Sequence, residues 1–116
     1  RKIYEIVLSA QKASLESLKK GILCKDADAA ARDIIATAGY GDYFGHGTGH
    51  GVGVEIHEQP SLNPSSTEVL KAGHIVTVEP GIYLPGRFGV RIEDMALVTD
   101  EGCINLTECD KKLIVI

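Results

Sequence analysis

The sequence predicts an α+β fold, and three observations carry that expectation. Apolar residues recur at helical steps twice before Gly39, glycine then crowds the segment GYGDYFGHGTGHGVG, and the remainder runs in β-branched stretches broken by turn residues. Two helices followed by four or five antiparallel strands is the pattern that results. At 116 residues and 44% apolar composition the chain makes one domain at most, with a single core of little margin.

Each element has its own signal. Ile3, Ile6, Val7, Ala10, Ala13, Leu15 and Leu18 form one helical stripe from Lys2 onward, with Lys19 and Lys20 suited to its negative end and Gly21 to its closing turn. A second helix is expected from about Lys25, Asp26 and Asp28 favouring its positive start, through Ala29, Ala30, Ile34 and Ile35 to Gly39. Its alanine content predicts close packing. A glycine at nearly every second position then excludes a helix, since each costs about 1 kcal/mol in a helix interior.

Val52, Val54 and Ile56 alternate with Gly53 and Glu55 as a strand would. Pro60 to Ser66 reads as a surface loop. HIVTVEPGIYL, punctuated by Pro80-Gly81, and GVRIEDMALVTDEGCINL, with a hairpin turn at Asp100-Glu101-Gly102, supply further strands. Leu113 to Ile116 is expected as an edge strand or docked tail. No internal repeat or linker divides the chain.

Composition narrows the partners. Sixteen acidic residues against twelve basic ones give a net charge of −4, the wrong sign for nucleic acid. No stretch is long and apolar enough to enter a membrane. Cys24, Cys103 and Cys109 lack metal or redox spacing and read as reduced thiols of a cytoplasmic protein. The chain opens on Arg1 without a signal-type region, and it is expected to be a piece of something longer.

The chemistry concentrates in two places. His46, His50 and His57 fall within the glycine-rich segment or just after it, and Glu79 and Glu93 sit inside otherwise apolar runs. An unpaired buried carboxylate costs several kcal/mol, so each glutamate needs a cation, a proton or strong donors. For Glu93 a plain alternative exists, because Arg91 lies two residues away on the same strand face. His74 after Gly73 reads as an ordinary hydrogen-bonded histidine. His46 and His50 have the spacing of a helical zinc site, yet the glycines exclude the helix and no glutamate follows His46. The glycines also lack the Lys-Ser or Lys-Thr of a phosphate loop. Two carboxylates and an imidazole on adjacent strands make an oxygen and nitrogen set that suits Mn, Co, Fe or Zn. A metal there would offset the burial of the glutamates and lower the pKa of a bound water.

HGTGHGVGVEIHE (46–58), VEPGIY (78–83) and GVRIED (89–94) together resemble the Xaa-Pro aminopeptidase and prolidase family of dinuclear metallopeptidases. The resemblance implies half of a pita-bread fold, shared with methionine aminopeptidase and creatinase: two helices followed by a curved antiparallel sheet. It implies that His50 and Glu79 bind one metal, that Glu93 bridges two, and that Glu79 moves protons. It further implies that His57 steadies the tetrahedral intermediate, that His46 lines the substrate pocket, and that Arg91 supports the site or meets substrate carboxylate. Strict alternation from His50 puts His57 on the opposite face, so a bulge is expected near Ile56. Two divalent ions are implied, Mn first with Co, Zn or Fe as alternatives, and a short peptide with proline after the scissile bond.

Members of that family supply two further aspartate ligands from a segment that would precede RKIYEIVLSAQ, and no aspartate of this chain matches them. Residues 1–116 are therefore expected to be the C-terminal portion of the catalytic domain, the N-terminal half being a separate segment. Cleavage of Xaa-Pro bonds is expected of the full-length enzyme, and weak or single-metal binding without cleavage of this chain alone. A half domain leaves apolar surface uncovered, so pairing with the missing half or homo-oligomer formation is expected. The alternatives are a pita-bread binding module without catalysis and a metal-free, creatinase-like hydrolase in which His57 and His46 suffice.

Overall fold

A computed structural model of the chain describes residues 2–52 and 60–106. Helix α1 spans Lys2–Ser17 and helix α2 spans Cys24–Thr37, and the two pack on each other. The buried face of α1 is Ile3, Val7, Ala10, Gln11 and Ser14, a stripe at three- and four-residue steps that takes in two polar residues. Both bond across the core: Ser14 Oγ donates to Ala27 O at 2.8 Å and Gln11 Nε2 to Asp94 Oδ2 at 2.7 Å, while Gln11 Oε1 has no hydrogen-bond partner among the described residues. Lys19 and Lys20 fall beyond the helix end rather than in its last turn, and Lys20 instead meets Asp100 at 3.5 Å. Gly21 closes the turn at φ +93°, in the left-handed region expected of it. On α2 the fully buried Ala27 and Ala31 bear out close packing. Asp28 does not serve the helix start; it is buried and turned toward the glycine-rich segment.

A single 3₁₀ turn, Gly41–Tyr43, leads into the strands. These are β1 (Gly49–His50), β2 (Ser61–Leu62), β3 (Ile75–Val78), β4 (Gly81–Leu84), β5 (Phe88–Arg91), β6 (Asp94–Val98) and β7 (Cys103–Asn105). The expected four or five strands thus become seven short ones among the described residues. They form three antiparallel ladders: β1 with β2, β4 with β5, and a sheet in the order β3-β6-β7. A bridge between Gly51 and Val76 ties the first ladder to β3.

The longer runs are split for physical reasons. Pro80 has no N–H to offer a ladder, so the run from β3 changes partners there and continues as β4. The same change of sheet separates β5 from β6 at Ile92 and Glu93. The turn at Asp100-Glu101-Gly102 forms as expected, with Thr99 N donating to Gly102 O at 2.8 Å. Pro60 to Ser66 is not wholly loop: β2 lies inside it because Leu62 is fully buried. Of the strand expected at Val52, Val54 and Ile56, only Val52 lies within the described residues, where its N–H bonds Ile75 O at 2.8 Å. The expected bulge near Ile56 and the element at Leu113 to Ile116 lie outside them.

Two apolar clusters share the interior. One joins Leu18, Cys24, Leu62, Leu70, Val76, Val78, Ala96 and Val98 between the ends of the helices and the β3-β6 sheet. The other joins α1, α2, Phe44 and Ile82. The glycine-rich segment contributes Phe44 to the second of these, with Tyr40 packed against it.

Burial raises the thiol pKa of both Cys24 and Cys103 above the usual value. Above about pH 8.5 the unfolded chain loses these protons first, so stability falls as pH rises. In the native protein the fully buried Cys24 is not expected to react with a maleimide at neutral pH while a cysteine peptide is consumed, and it labels on unfolding. Prompt native labelling of Cys24 would contradict its burial.

Candidate functional site

The glycines of the histidine segment are explained by contact. A Cβ on Gly49 would lie 1.7 Å from Thr77 O, because β1 runs directly against β3. That approach lets His50 N donate to Thr77 Oγ1 at 3.1 Å and Glu79 N donate to Thr48 O at 2.6 Å. The backbone of the histidine segment is thereby bonded on either side of the residue that leads into Glu79.

His46, His50, Ser61, Asn63, Glu79 and Arg91 line one pocket of about 250 Å³. His50 Nε2 stands 3.4 Å from Glu79 Oε2. Its other ring nitrogen, Nδ1, lies 3.0 Å from Gly51 O. A carbonyl can only accept, so Nδ1 carries a proton and Nε2 is the nitrogen turned to the carboxylate. Two such groups facing each other need a shared cation, either a proton or a metal ion. Their separation exceeds the roughly 2.8 Å of a charge-assisted hydrogen bond and suits two donors sharing one ion at about 2.1 Å each. An imidazole anchored through Nδ1–H to a backbone carbonyl is also how metal-binding histidines are oriented. The donor chemistry therefore fits a divalent ion. Among the described residues, no group of three or more His, Cys, Asp or Glu side chains closes on a single point.

Glu79 lies one residue past β3 with 16% of its side chain exposed, close to the expected environment. Glu93 does not: it is exposed, between the end of β5 and the start of β6. The buried acid at that place is its neighbour Asp94, which accepts from Gln11 and from Asn105 Nδ2 at 3.0 Å. The expectation of two embedded glutamates is therefore corrected to one, because the chain changes sheets at Glu93 instead of running on as a strand. The β3-β6 ladder ends on the pair of Val78 and Asp94, the residues next in sequence to Glu79 and Glu93. Among the described residues Arg91 and Glu93 make no ion pair with each other; Arg91 instead lines the pocket. His57 lies outside the described residues. His74 accepts from Lys71 N at 3.1 Å, an ordinary turn contact.

His46 is held at both ring nitrogens. Nδ1 donates to Gly47 O at 2.6 Å, and Nε2 accepts from the Tyr83 hydroxyl at 2.7 Å. Its ring stands edge-on to Phe44 at 5.1 Å between centroids.

Four residues that the motifs did not single out belong to this neighbourhood: Asp28, Arg32, Thr48 and Tyr83. Asp28 and Arg32 carry a weak signal, opposite charges four apart on a helix. Nothing local shows that their side of α2 faces the histidine segment.

The sequence matches the family model described as metallopeptidase family M24 over residues 1–100. The Xaa-Pro dipeptidase of Pyrococcus furiosus is 52% identical over 114 residues, 98% of this chain and 33% of that protein. Among solved structures, the Xaa-Pro dipeptidase from Bacillus anthracis is 53% identical with a TM-score of 0.95, covering 99% of this chain and 32% of that one. The prolidase from Pyrococcus horikoshii is 52% identical with a TM-score of 0.93, over 97% and 33% respectively. The chain thus spans about a third of the length of the curated relatives it matches.

Proposed function

The chain belongs to metallopeptidase family M24 with the pita-bread architecture, and on that premise we propose that the full-length protein hydrolyses Xaa-Pro peptide bonds with divalent metal ions. The observation that carries the reading is the convergence of His50 Nε2 and the Glu79 carboxylate at 3.4 Å on one pocket. The substrate is a short peptide with proline after the scissile bond. The relatives named as Xaa-Pro dipeptidases and prolidases favour a dipeptidase over an aminopeptidase.

His50, Glu79 and Glu93 are the ligands this chain offers, and the end of the β3-β6 ladder at Val78 and Asp94, the immediate neighbours of the two glutamates, supports the reading. Mn is the first choice for a mixed oxygen and nitrogen set, with Co, Zn and Fe next. A divalent ion held there would lower the pKa of a bound water toward neutrality. Glu79 takes the proton of the attacking water and delivers it to the leaving amine. His57 steadies the developing negative charge. His46 forms a wall of the substrate pocket, and Arg91 contacts substrate carboxylate from the same pocket.

The chain is in this reading the C-terminal portion of a catalytic domain in a cytoplasmic protein, with two aspartate ligands supplied from another segment. The outer face of the β3-β6-β7 sheet, where Met95 and Ile104 are exposed, supports pairing with that segment or a homo-oligomer. This chain by itself cleaves nothing measurable.

The test is hydrolysis of Ala-Pro and Ala-Ala by the full-length protein before and after chelation. The expected result is Ala-Pro cleavage abolished by chelator and restored by Mn, with Ala-Ala untouched. Cleavage indifferent to chelator would point to the creatinase-like route. Metal binding without cleavage of any Xaa-Pro peptide would leave a binding module.

A further inference from the structure

Asp28 and Arg32 form an ion pair on α2 in which Asp28 is 1% exposed, with Arg32 Nε at 2.8 Å from Oδ2 and Nη2 at 3.1 Å from Oδ1. A buried pair is weak evidence for stability, because desolvation offsets much of the attraction. What distinguishes this one is where its remaining bonds go. Arg32 Nη1 donates to Phe44 O at 3.1 Å and Nη2 to His46 O at 2.8 Å, while its guanidinium lies 4.2 Å over the Phe44 ring. Asp28 Oδ1 accepts from Thr48 N at 3.0 Å and from Thr48 Oγ1 at 2.8 Å. Thr48 O in turn accepts the N–H of Glu79. The pair therefore grips main-chain groups at three points of the segment that carries His46 and leads to His50, and through Thr48 it reaches Glu79.

We propose that Asp28 and Arg32 are positioning residues: a clamp from α2 that sets the backbone path of Phe44 to Thr48 and so orients His46 and Glu79 for the proposed hydrolysis. The inference rests on that reading for its kinetic consequence, though not for its geometry. Apolar side chains of equal volume could fill the same space, yet they could not hold the carbonyls of Phe44 and His46 and the N–H of Thr48 in one arrangement.

Two substitutions separate the arms. Asp28→Asn keeps an acceptor for Thr48 and turns an amide donor toward Arg32, releasing the guanidinium. Arg32→Met keeps an unbranched apolar stem and removes both carbonyl bonds together with the guanidinium over Phe44. In the full-length protein each is expected to keep metal content and to keep KM within twofold, while kcat falls about ten- to a hundredfold, the penalty of small misplacement. The double variant is expected to be no worse than the poorer single one, since the pair acts as a unit. Independently of activity, 15N spectra of the His46 ring are expected to show one tautomer, with the proton on Nδ1, in the parent and a mixture in the variants. An unchanged kcat together with an unchanged His46 ring would overturn the clamp, as would metal content, KM and kcat falling together. Should the parent cleave no Xaa-Pro peptide, the proposed function fails and the ring spectra alone decide the clamp. If neither variant folds, Thr48→Val removes the Oγ1 bond at constant volume and is read in the same way.

Discussion

Replacing Gly49 with alanine is expected to destabilise the protein by about 3 kcal/mol or more, at the upper end of overpacking, and to abolish metal capture at His50. The added Cβ would meet Thr77 O at 1.7 Å and Thr77 C at 2.6 Å, and both are backbone atoms of β3. Neither can step aside as a flexible side chain would. β1 must instead move away from β3, which breaks the bond from His50 N to Thr77 Oγ1 and the one from Glu79 N to Thr48 O. Stability and site geometry are therefore lost together. Urea unfolding and metal titration of the variant measure the two effects; a midpoint equal to the parent's would show that β1 and β3 do not touch this closely in solution.

Glu79→Gln is expected to separate what Gly49→Ala joins. The substitution keeps volume and the backbone bond to Thr48, and its amide can donate to His50 Nε2 across the gap that the carboxylate now spans. Folding stability should change by no more than about 1 kcal/mol. Under the proposed function the substitution removes an anionic ligand and the proton carrier, so kcat of the full-length protein for an Xaa-Pro dipeptide is expected to fall about a thousandfold, within the range of lost general-base catalysis. Metal affinity should weaken as well. Steady-state kinetics with saturating Mn check this, and retention of a tenth of parental activity would remove Glu79 from the chemistry.

The contrast between these two residues shows which parts of the site a linear reading can reach. The glycine spacing around His46 and His50 excludes a helix and announces close backbone approach, and the contact of Gly49 with Thr77 bears that out. Glu79 announces itself as an acid amid β-branched neighbours, and it does lie mostly buried at the end of β3. Glu93 gives the same signal and breaks the rule. Whether an acid between Ile92 and Met95 is enclosed depends on which sheet its strand joins, and the chain leaves one ladder for another at that point. The expected strand count failed for the same reason at Pro80.

The features legible without coordinates are local: the two helices and their closing glycines, the β-branched strands, and the three motifs that hold the histidines and glutamates. Those follow from periodicity and backbone sterics, which act between residues a few positions apart. Long-range packing is what sets Asp28 and Arg32 against the histidine segment, Tyr83 on His46, and Asp94 rather than Glu93 in the interior. Such pairings join residues from 12 to 83 positions apart, as Phe44 to Arg32 and Asp94 to Gln11 do. Their partners are chosen by the packing of two helices against three ladders, and a one-step change of register would exchange them all.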